Sequence, residues 1–320
     1  MVSVTSTATV RISKRVTDAL SAHLPVVALE STVVTHGLPR PRNLEAAKAV
    51  EAVVVSAGAV PATIGIIGGQ LIVGLDADEL TYLSRADAEK ASLWNLASII
   101  ARKADGGTTV AATLHAAAMA GIAVFATGGI GGVHDAPFDE SADLAALASY
   151  SLITVCAGPK NILDVPATLE RLESLGVAVV GFRSDTLAGF TVPLTDLAVP
   201  SRVDTAAEAA AVLRAQRSLG LTQGVLLSNP VSSGLAQADF AAAMAAAQHE
   251  AHERGVTGAR STPFLLSALA RLSGGDTLEV NTRLLEENAA LAARVAAALA
   301  APVAAAPSHP EAPALAEPVS

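Results

Sequence analysis

Short apolar runs that stop at small or polar residues alternate with Ala-rich helical stretches along most of this chain. Val26–Leu29 runs into Glu30-Ser31-Thr32, Ile122–Phe125 into Ala126-Thr127-Gly128-Gly129, and Leu152–Cys156 into Ala157-Gly158-Pro159-Lys160. Val177–Val180 is a further run, and Val225–Leu227 ends at Ser228-Asn229-Pro230. Helical patterns cover Asn43–Ala57, Thr109–Ala120, Ile162–Leu175, Thr205–Leu219 and Ala236–Arg254. Strands apolar along their whole length are buried on both faces, so helices must cover both sides of the sheet. The expectation is a single-domain α/β protein, a three-layer α/β/α sandwich. Thr63–Ile67 and Leu71–Val73 are separated by Gly68-Gly69-Gln70, which reads as a hairpin and makes the central sheet mixed.

Composition narrows the function classes. The 320 residues are 51% hydrophobic and 16% charged, with a formal net charge of −9 and no basic block. Non-specific nucleic-acid or membrane-surface binding is therefore not expected. Cys156 is the single cysteine, so no intrachain disulfide can form, and a reducing, cytoplasmic setting is expected. The first twenty residues lack the apolar core of a signal peptide. Gly106–Val133 contains no Asp, Glu, Lys or Arg, but its glycines and threonines divide it into a buried helix and a buried strand rather than a membrane span. Residues 1–11 are expected to form an N-terminal arm, 12–300 the domain, and 301–320 a disordered Ala/Pro-rich tail.

In open α/β sheets ligands collect beyond the carboxyl ends of the strands. That rule selects Glu30, Thr127–Gly132, Ala157–Lys160 and Ser228-Asn229, which could converge on one crevice. Lys160 follows a strand and a Gly-Pro turn and is read as opening a helix at Asn161-Ile162-Leu163-Asp164. Among apolar neighbours its amine could attack a carbonyl carbon and form an imine; a solvated helix-start lysine has the same pattern. Glu30 could act as a general acid or base, or cap the next segment. The glycines of Gly128–Gly132 permit close backbone approach but lack the order of a dinucleotide or P-loop motif. Gly107-Thr108-Thr109 offers amides and hydroxyls to an anion, or simply an N-cap. Asp139 and Asp143 flank Ser141-Ala142; one carboxylate with waters would suit Mg²⁺ or Mn²⁺, and a solvated acidic helix start is the alternative. His36 and His134 read as structural, and Cys156 as a buried strand residue.

Taken together, the strings ALESTVVTHGLPRP, GAVPATIGIIGG, GTTVAAT, GIAVFATGGIGGVH, FDESADL, VCAGPKNILD, SNPV, STPFLL and GGDTLEVN resemble the pseudouridine-5′-phosphate glycosidase family, which includes the indigoidine synthase A-like proteins. They occur in the family's order over roughly residues 12–295.

The resemblance implies reversible cleavage of the C–C bond of pseudouridine 5′-phosphate, giving uracil and ribose 5-phosphate. It makes Lys160 the nucleophile that forms a lysine-bound imine and Glu30 the proton donor. Lys90, Val110, Ser141, Ala142 and Asp143 match substrate-binding positions, Asn281 matches a polar residue near the uracil, and Asp139 matches the ligand of a Mn²⁺ ion, one per subunit. Thr108, Thr109, Thr127 and His134 are expected as pocket neighbours, and a homotrimer is expected. Two departures stand out: the short stretch Asp135–Phe138, and Pro159-Lys160-Asn161 where a small residue and a serine are expected to flank the lysine. No sugar-kinase domain is attached, so a separate kinase is expected to supply the phosphorylated substrate. Rival readings are another Schiff-base lyase on a related ribosyl phosphate and a non-catalytic sugar-phosphate binding protein. The latter predicts loss of Glu30 or Lys160, and both are present.

Overall fold

The computed structural model describes residues 9–134, 138–256 and 261–302. Residues 1–8 of the expected arm, residues 135–137, the tail from 303 onward and the side chains of residues 261–263 lie outside the described part.

In chain order the first half comprises β1 (Val10–Ile12), α1 (Lys14–Ser21), β2 (Val26–Leu29), α2 (Arg42–Ser56), β3 (Val60–Ile67), β4 (Gln70–Val73), α3 (Ala77–Leu83), β5 (Glu89–Ala91), α4 (Leu96–Ala101), β6 (Gly106–Thr108), α5 (Val110–Ala120) and β7 (Val124–Ala126). The second half comprises α6 (Ala142–Ser149), β8 (Ile153–Cys156), α7 (Val165–Ser174), β9 (Ala178–Phe182), β10 (Thr186–Gly189), β11 (Val192–Ala198), β12 (Ser201–Val203), α8 (Ala206–Ser218), β13 (Val225–Ser228), α9 (Gln237–Glu253), α10 (Ser261–Leu272) and α11 (Asp276–Ala300). The main sheet has eleven strands in the order β1-β4-β3-β2-β7-β8-β13-β9-β12, with β6 branching from β3 and β5 paired to β6. β10 and β11 form a separate antiparallel ribbon.

The three layers follow from strand alternation. Val26 and Ala28 of β2 pack on the side of α1, α5, α6 and α7, whereas Val27 and Leu29 pack towards α2, α8 and α11. β13 repeats this, with Leu226 in the first core and Val225 and Leu227 in the second. Every residue of β2, β7, β8 and β13 is buried, as strands covered on both faces require. Alanines of α5 and α11 let these helices sit close to the sheet.

The mixed sheet is present. β3 runs parallel to β2 through its first half and antiparallel to β4 through its second. The β3–β4 turn uses Gly68 and Gly69 at φ of 57° and 77°, the left-handed pair a two-residue hairpin prefers. The uncharged stretch resolves into α5 and β7, and no helix among the described residues is long and apolar enough to cross a membrane.

Two expectations need correction. Val10 and Arg11, assigned to the arm, pair with Leu71 and Ile72 as strand residues. Lys160 does not open a helix: α7 starts at Val165, because Asp164 accepts from the Ala167 amide as N-cap and Pro166 occupies the first turn.

Candidate active site

β2, β7, β8 and β13 are consecutive neighbours in the sheet and mutually parallel. Their carboxyl ends therefore place Glu30, Thr127, Ala157–Lys160 and Ser228-Asn229 side by side, as the strand-end rule expected.

The glycine-rich segment has a structural role. Ala157 donates its amide to Gly128 O (2.9 Å), Ile130 to Gly158 O (3.1 Å), and Lys160 to Ile130 O (3.0 Å). The two loops thus continue the β7–β8 pairing past the strands, ending in a parallel bridge between Ile130 and Pro159. That bridge uses the carbonyl of Gly158 and the amide of Lys160, so Pro159 needs no N–H of its own. Gly158 is held at φ 84°, and a β-carbon there would stand 2.3 Å from Ala188 O.

Glu30 accepts a hydrogen bond from the Thr127 hydroxyl at the adjoining strand end. Its carboxyl is raised above its ordinary value by desolvation; the Lys160 charge and the Thr127 bond pull the other way, Asp143 adds to the rise, and Lys90 opposes it. Lys90 reaches the same group from β5, paired opposite Gly107 of β6. Desolvation lowers its pKa, the Lys160 charge lowers it further, and Asp143 and Glu30 oppose. Two cations and two carboxylates thus share one electrostatic field, the kind of arrangement expected of acid–base and nucleophilic chemistry.

Asp143 is buried, which removes the solvated reading of this carboxylate. Its oxygens accept from the amides of Ala111 (3.0 Å) and Gly131 (2.8 Å), joining the start of α5 to the glycine segment. Ser141 caps α6 by accepting from the Asp143 amide (3.2 Å), and Ala142 is the first residue of that helix. Val110, itself buried, opens α5.

Thr108 is held by core hydrogen bonds. The Thr108 hydroxyl donates to Ile64 O (2.7 Å), its amide donates to Ser31 Oγ (2.9 Å), and Thr113 Oγ1 donates to the Thr108 hydroxyl (3.0 Å). Thr109 is the N-cap of α5. The Thr108 hydroxyl is engaged by core partners, and the Thr109 hydroxyl accepts from the Ala112 amide at 3.4 Å.

Asp139 lies beside His134, with Oδ1 3.5 Å from Nδ1, and its side chain is 43% exposed. Among the described residues no group of three or more His, Cys, Asp or Glu side chains could hold a metal. Asn281 of α11 adjoins the glycine segment: its Oδ1 stands 3.4 Å from where a β-carbon on Gly128 would be. His36 pairs its Nδ1 with Thr35 Oγ1 at 2.7 Å, and its pKa is lowered by desolvation and by Lys90. Cys156 is buried, and desolvation pushes its thiol up to about 12.

Sequence reasoning missed Asn288. It is fully buried, donates Nδ2 to Thr127 O (2.8 Å) and Gly128 O (3.3 Å), and accepts from Asn229 Nδ2 (2.9 Å). An asparagine inside an Ala/Leu-rich helix, two turns after Asn281 on the same face, was the available signal.

A family model described as indigoidine synthase A like protein matches residues 15–298. The pseudouridine-5′-phosphate glycosidase of Thermus thermophilus is 56% identical over 272 residues, 85% of this chain and 96% of that protein. The Hahella chejuensis protein of the same name is 48% identical over 293 residues, 89% of this chain and 97% of that one. Among solved structures, the prealnumycin C-glycosynthase AlnA in complex with ribulose 5-phosphate superposes with a TM-score of 0.84 at 38% identity, covering 91% of this chain and 97% of that one. An indigoidine synthase A-like protein of Thermotoga maritima gives 0.80 at 32% identity, covering 92% and 98%.

Proposed function

Since the chain belongs to the indigoidine synthase A-like family, we propose that it reversibly cleaves the C–C bond of pseudouridine 5′-phosphate, with uracil and ribose 5-phosphate as products. The observation that carries this reading is the placement of Glu30, bonded to Thr127, in one electrostatic field with Lys160 and Lys90 at adjoining strand ends. The names of the curated relatives agree with it.

Leaving-group protonation by paired carboxylates suits a heteroatom, and here the leaving atom is carbon. A covalent amine route answers that difficulty. Glu30 passes its proton to the ring oxygen as the sugar opens, and the Lys160 amine adds to C1 of the opened chain. The bond to uracil then breaks as the C1–N bond becomes an imine, the uracil carbon taking up a proton. Water adds to the imine and releases ribose 5-phosphate and free Lys160. Lys90, with the first amides of α5 and α6 at Val110 and Ala142, would hold the phosphate. Asn281 would face the uracil.

Asp139 offers an anionic oxygen beside the imidazole of His134. So sparse a donor set fits a divalent ion that keeps most of its waters, and we place one Mn²⁺ there. The bound ion would supply positive charge and oriented waters. We also infer a homotrimer, as the family resemblance implies; Trp94, the single tryptophan, is 83% exposed and Phe138 is fully exposed, and exposed aromatic residues suit a subunit contact of some kind. Cytoplasmic residence accords with the lone, buried thiol.

A second reading, formation of a different C-glycoside from a related pentose phosphate, is favoured by the AlnA neighbour. The deciding experiment incubates uracil and ribose 5-phosphate with Mn²⁺ and protein, and follows pseudouridine 5′-phosphate by mass spectrometry. Well-folded, metal-loaded protein that makes none sinks the substrate assignment. Borohydride with ribose 5-phosphate should add the reduced sugar to Lys160; an unlabelled Lys160 alongside retained turnover removes the imine.

A further inference from the structure

Behind Glu30, between α2 and the ends of β2 and β3, lies a cavity of about 20 Å³. Glu30 and Thr63 are the residues with polar side chains in its lining, and Val33, Ala46, Ala47, Val50 and Leu285 are among its apolar walls. That volume is sufficient for one water, for which Glu30 and Thr63 are the available polar side chains. Thr63 stands directly across from Leu29 in the β2–β3 register, one residue before Glu30. Its hydroxyl donates to Glu51 Oε1 at 2.5 Å. Glu51 belongs to α2 and is only partly buried, so its carboxyl retains contact with solvent. Buried Thr63 thus lines the same cavity as Glu30 and bonds to a partly exposed carboxylate.

We propose that Glu51, Thr63 and a water in this cavity form a proton relay that serves Glu30 from the side opposite the substrate. The proposal rests on the reading of Glu30 as the proton-transfer group. In the outward direction, protonated Glu30 gives its proton to the water, the water passes one of its own to Thr63 Oγ1, and Thr63 passes its hydroxyl hydrogen to Glu51. Each intermediate oxygen gains one hydrogen and loses one, so a single proton moves and no co-reactant is needed. The inward direction reverses these steps and recharges Glu30 while substrate covers the front of the site.

The electrostatics favour such an exchange. Both carboxyls are raised above the ordinary value chiefly by desolvation, so neither end is a deep trap. Thr63 and then Arg15 of α1 pull Glu51 down; Lys160, Thr127 and Lys90 do so for Glu30, against Asp143.

The test compares parent, Thr63→Val, Thr63→Ser, Glu51→Gln and Glu30→Gln in the condensation assay, reading kcat, KM, pH profile and solvent deuterium isotope effect. Loss of the hydroxyl or of the outer carboxylate should lower kcat by about tenfold with KM unchanged, less than the roughly 10²–10⁴-fold of a direct general acid or base because the relay only resupplies Glu30. The isotope effect should rise, and Thr63→Ser should recover most of the rate. If Glu30→Gln is inactive while Thr63→Val and Glu51→Gln keep the parental kcat and isotope effect, the relay is wrong and Glu30 stands. An active Glu30→Gln overturns the role of Glu30 and the relay with it.

Discussion

Asn288 donates its side-chain amide to the carbonyl of Thr127, 2.8 Å away, while the Thr127 hydroxyl donates to Glu30. A side chain on α11 therefore fixes, through one residue, the carboxyl group assigned the proton transfer.

Replacing Asn288 by Leu leaves the Thr127 carbonyl and the Asn229 amide without this partner, whereas Gly128 O keeps the Ala157 amide. Such losses cost about 1–3 kcal/mol for each group left unsatisfied, and some relaxation follows, so a total of about 2–4 kcal/mol is expected. Urea denaturation measures it. kcat should fall with KM little changed, because the damage reaches Glu30 rather than the phosphate contacts.

Glu30→Gln should separate stability from activity. The folded chain holds the Glu30 proton to a higher pH than the unfolded chain, whose carboxyl titrates near the ordinary 4.5. Between those two pKa values the folded state binds more protons, so the stability of the parent falls as pH rises through that window. The glutamine variant lacks this decline. It should match the parent in urea midpoint near pH ~4 and exceed it near pH ~8, while losing roughly 10²–10⁴-fold in rate. Equal midpoints at the higher pH would argue against a desolvated carboxyl.

Asp143→Asn replaces two acceptor oxygens with one acceptor and one donor, so the Ala111 and Gly131 amides can no longer both be satisfied. A loss of about 1–3 kcal/mol is expected. It should come with weaker binding of ribose 5-phosphate, since the same contacts join α5 to the glycine segment. Isothermal titration calorimetry reads the second effect.

Chelation should remove activity from the parent, and added Mn²⁺ should restore it. Asp139→Ala should be inactive with or without added ion, yet keep its thermal midpoint, because Asp139 is 43% exposed and its bonds to His134 include its backbone. An Asp139→Ala variant with parental activity at low Mn²⁺ would move the metal elsewhere.

The sequence makes the middle of the sheet legible for a physical reason. β2, β7, β8 and β13 are buried on both faces, so their apolar runs have no polar alternation to dilute them. β5 and β6 are three-residue strands, Glu-Lys-Ala and Gly-Gly-Thr, whose pairing comes from position and not from hydrophobic pattern. Lys90 was therefore reachable only through resemblance, and its proximity to Glu30 and Lys160 only through structure. The start of α7 is not legible in the apolar pattern because Ile162 and Leu163 look helical, whereas Asp164 and Pro166 set the boundary locally. Pro159, an oddity in the sequence, is accommodated because its place in the bridge to Ile130 asks for no donor. Pro159→Ala should accordingly leave catalysis intact and cost about 0.4–1 kcal/mol through a freer unfolded chain, measurable by denaturation.

The helix that carries Asn281 and Asn288 follows every strand in chain order, yet it packs against β2, β7 and β8 at the centre of the molecule. A ribosome thus delivers Glu30 and Lys160 long before the helix that steadies them. Synthesis proceeds from the amino terminus, and the earlier segments can begin to collapse while the remainder is still being made. The amine proposed as nucleophile is therefore synthesised before the helix that would steady its proposed proton partner.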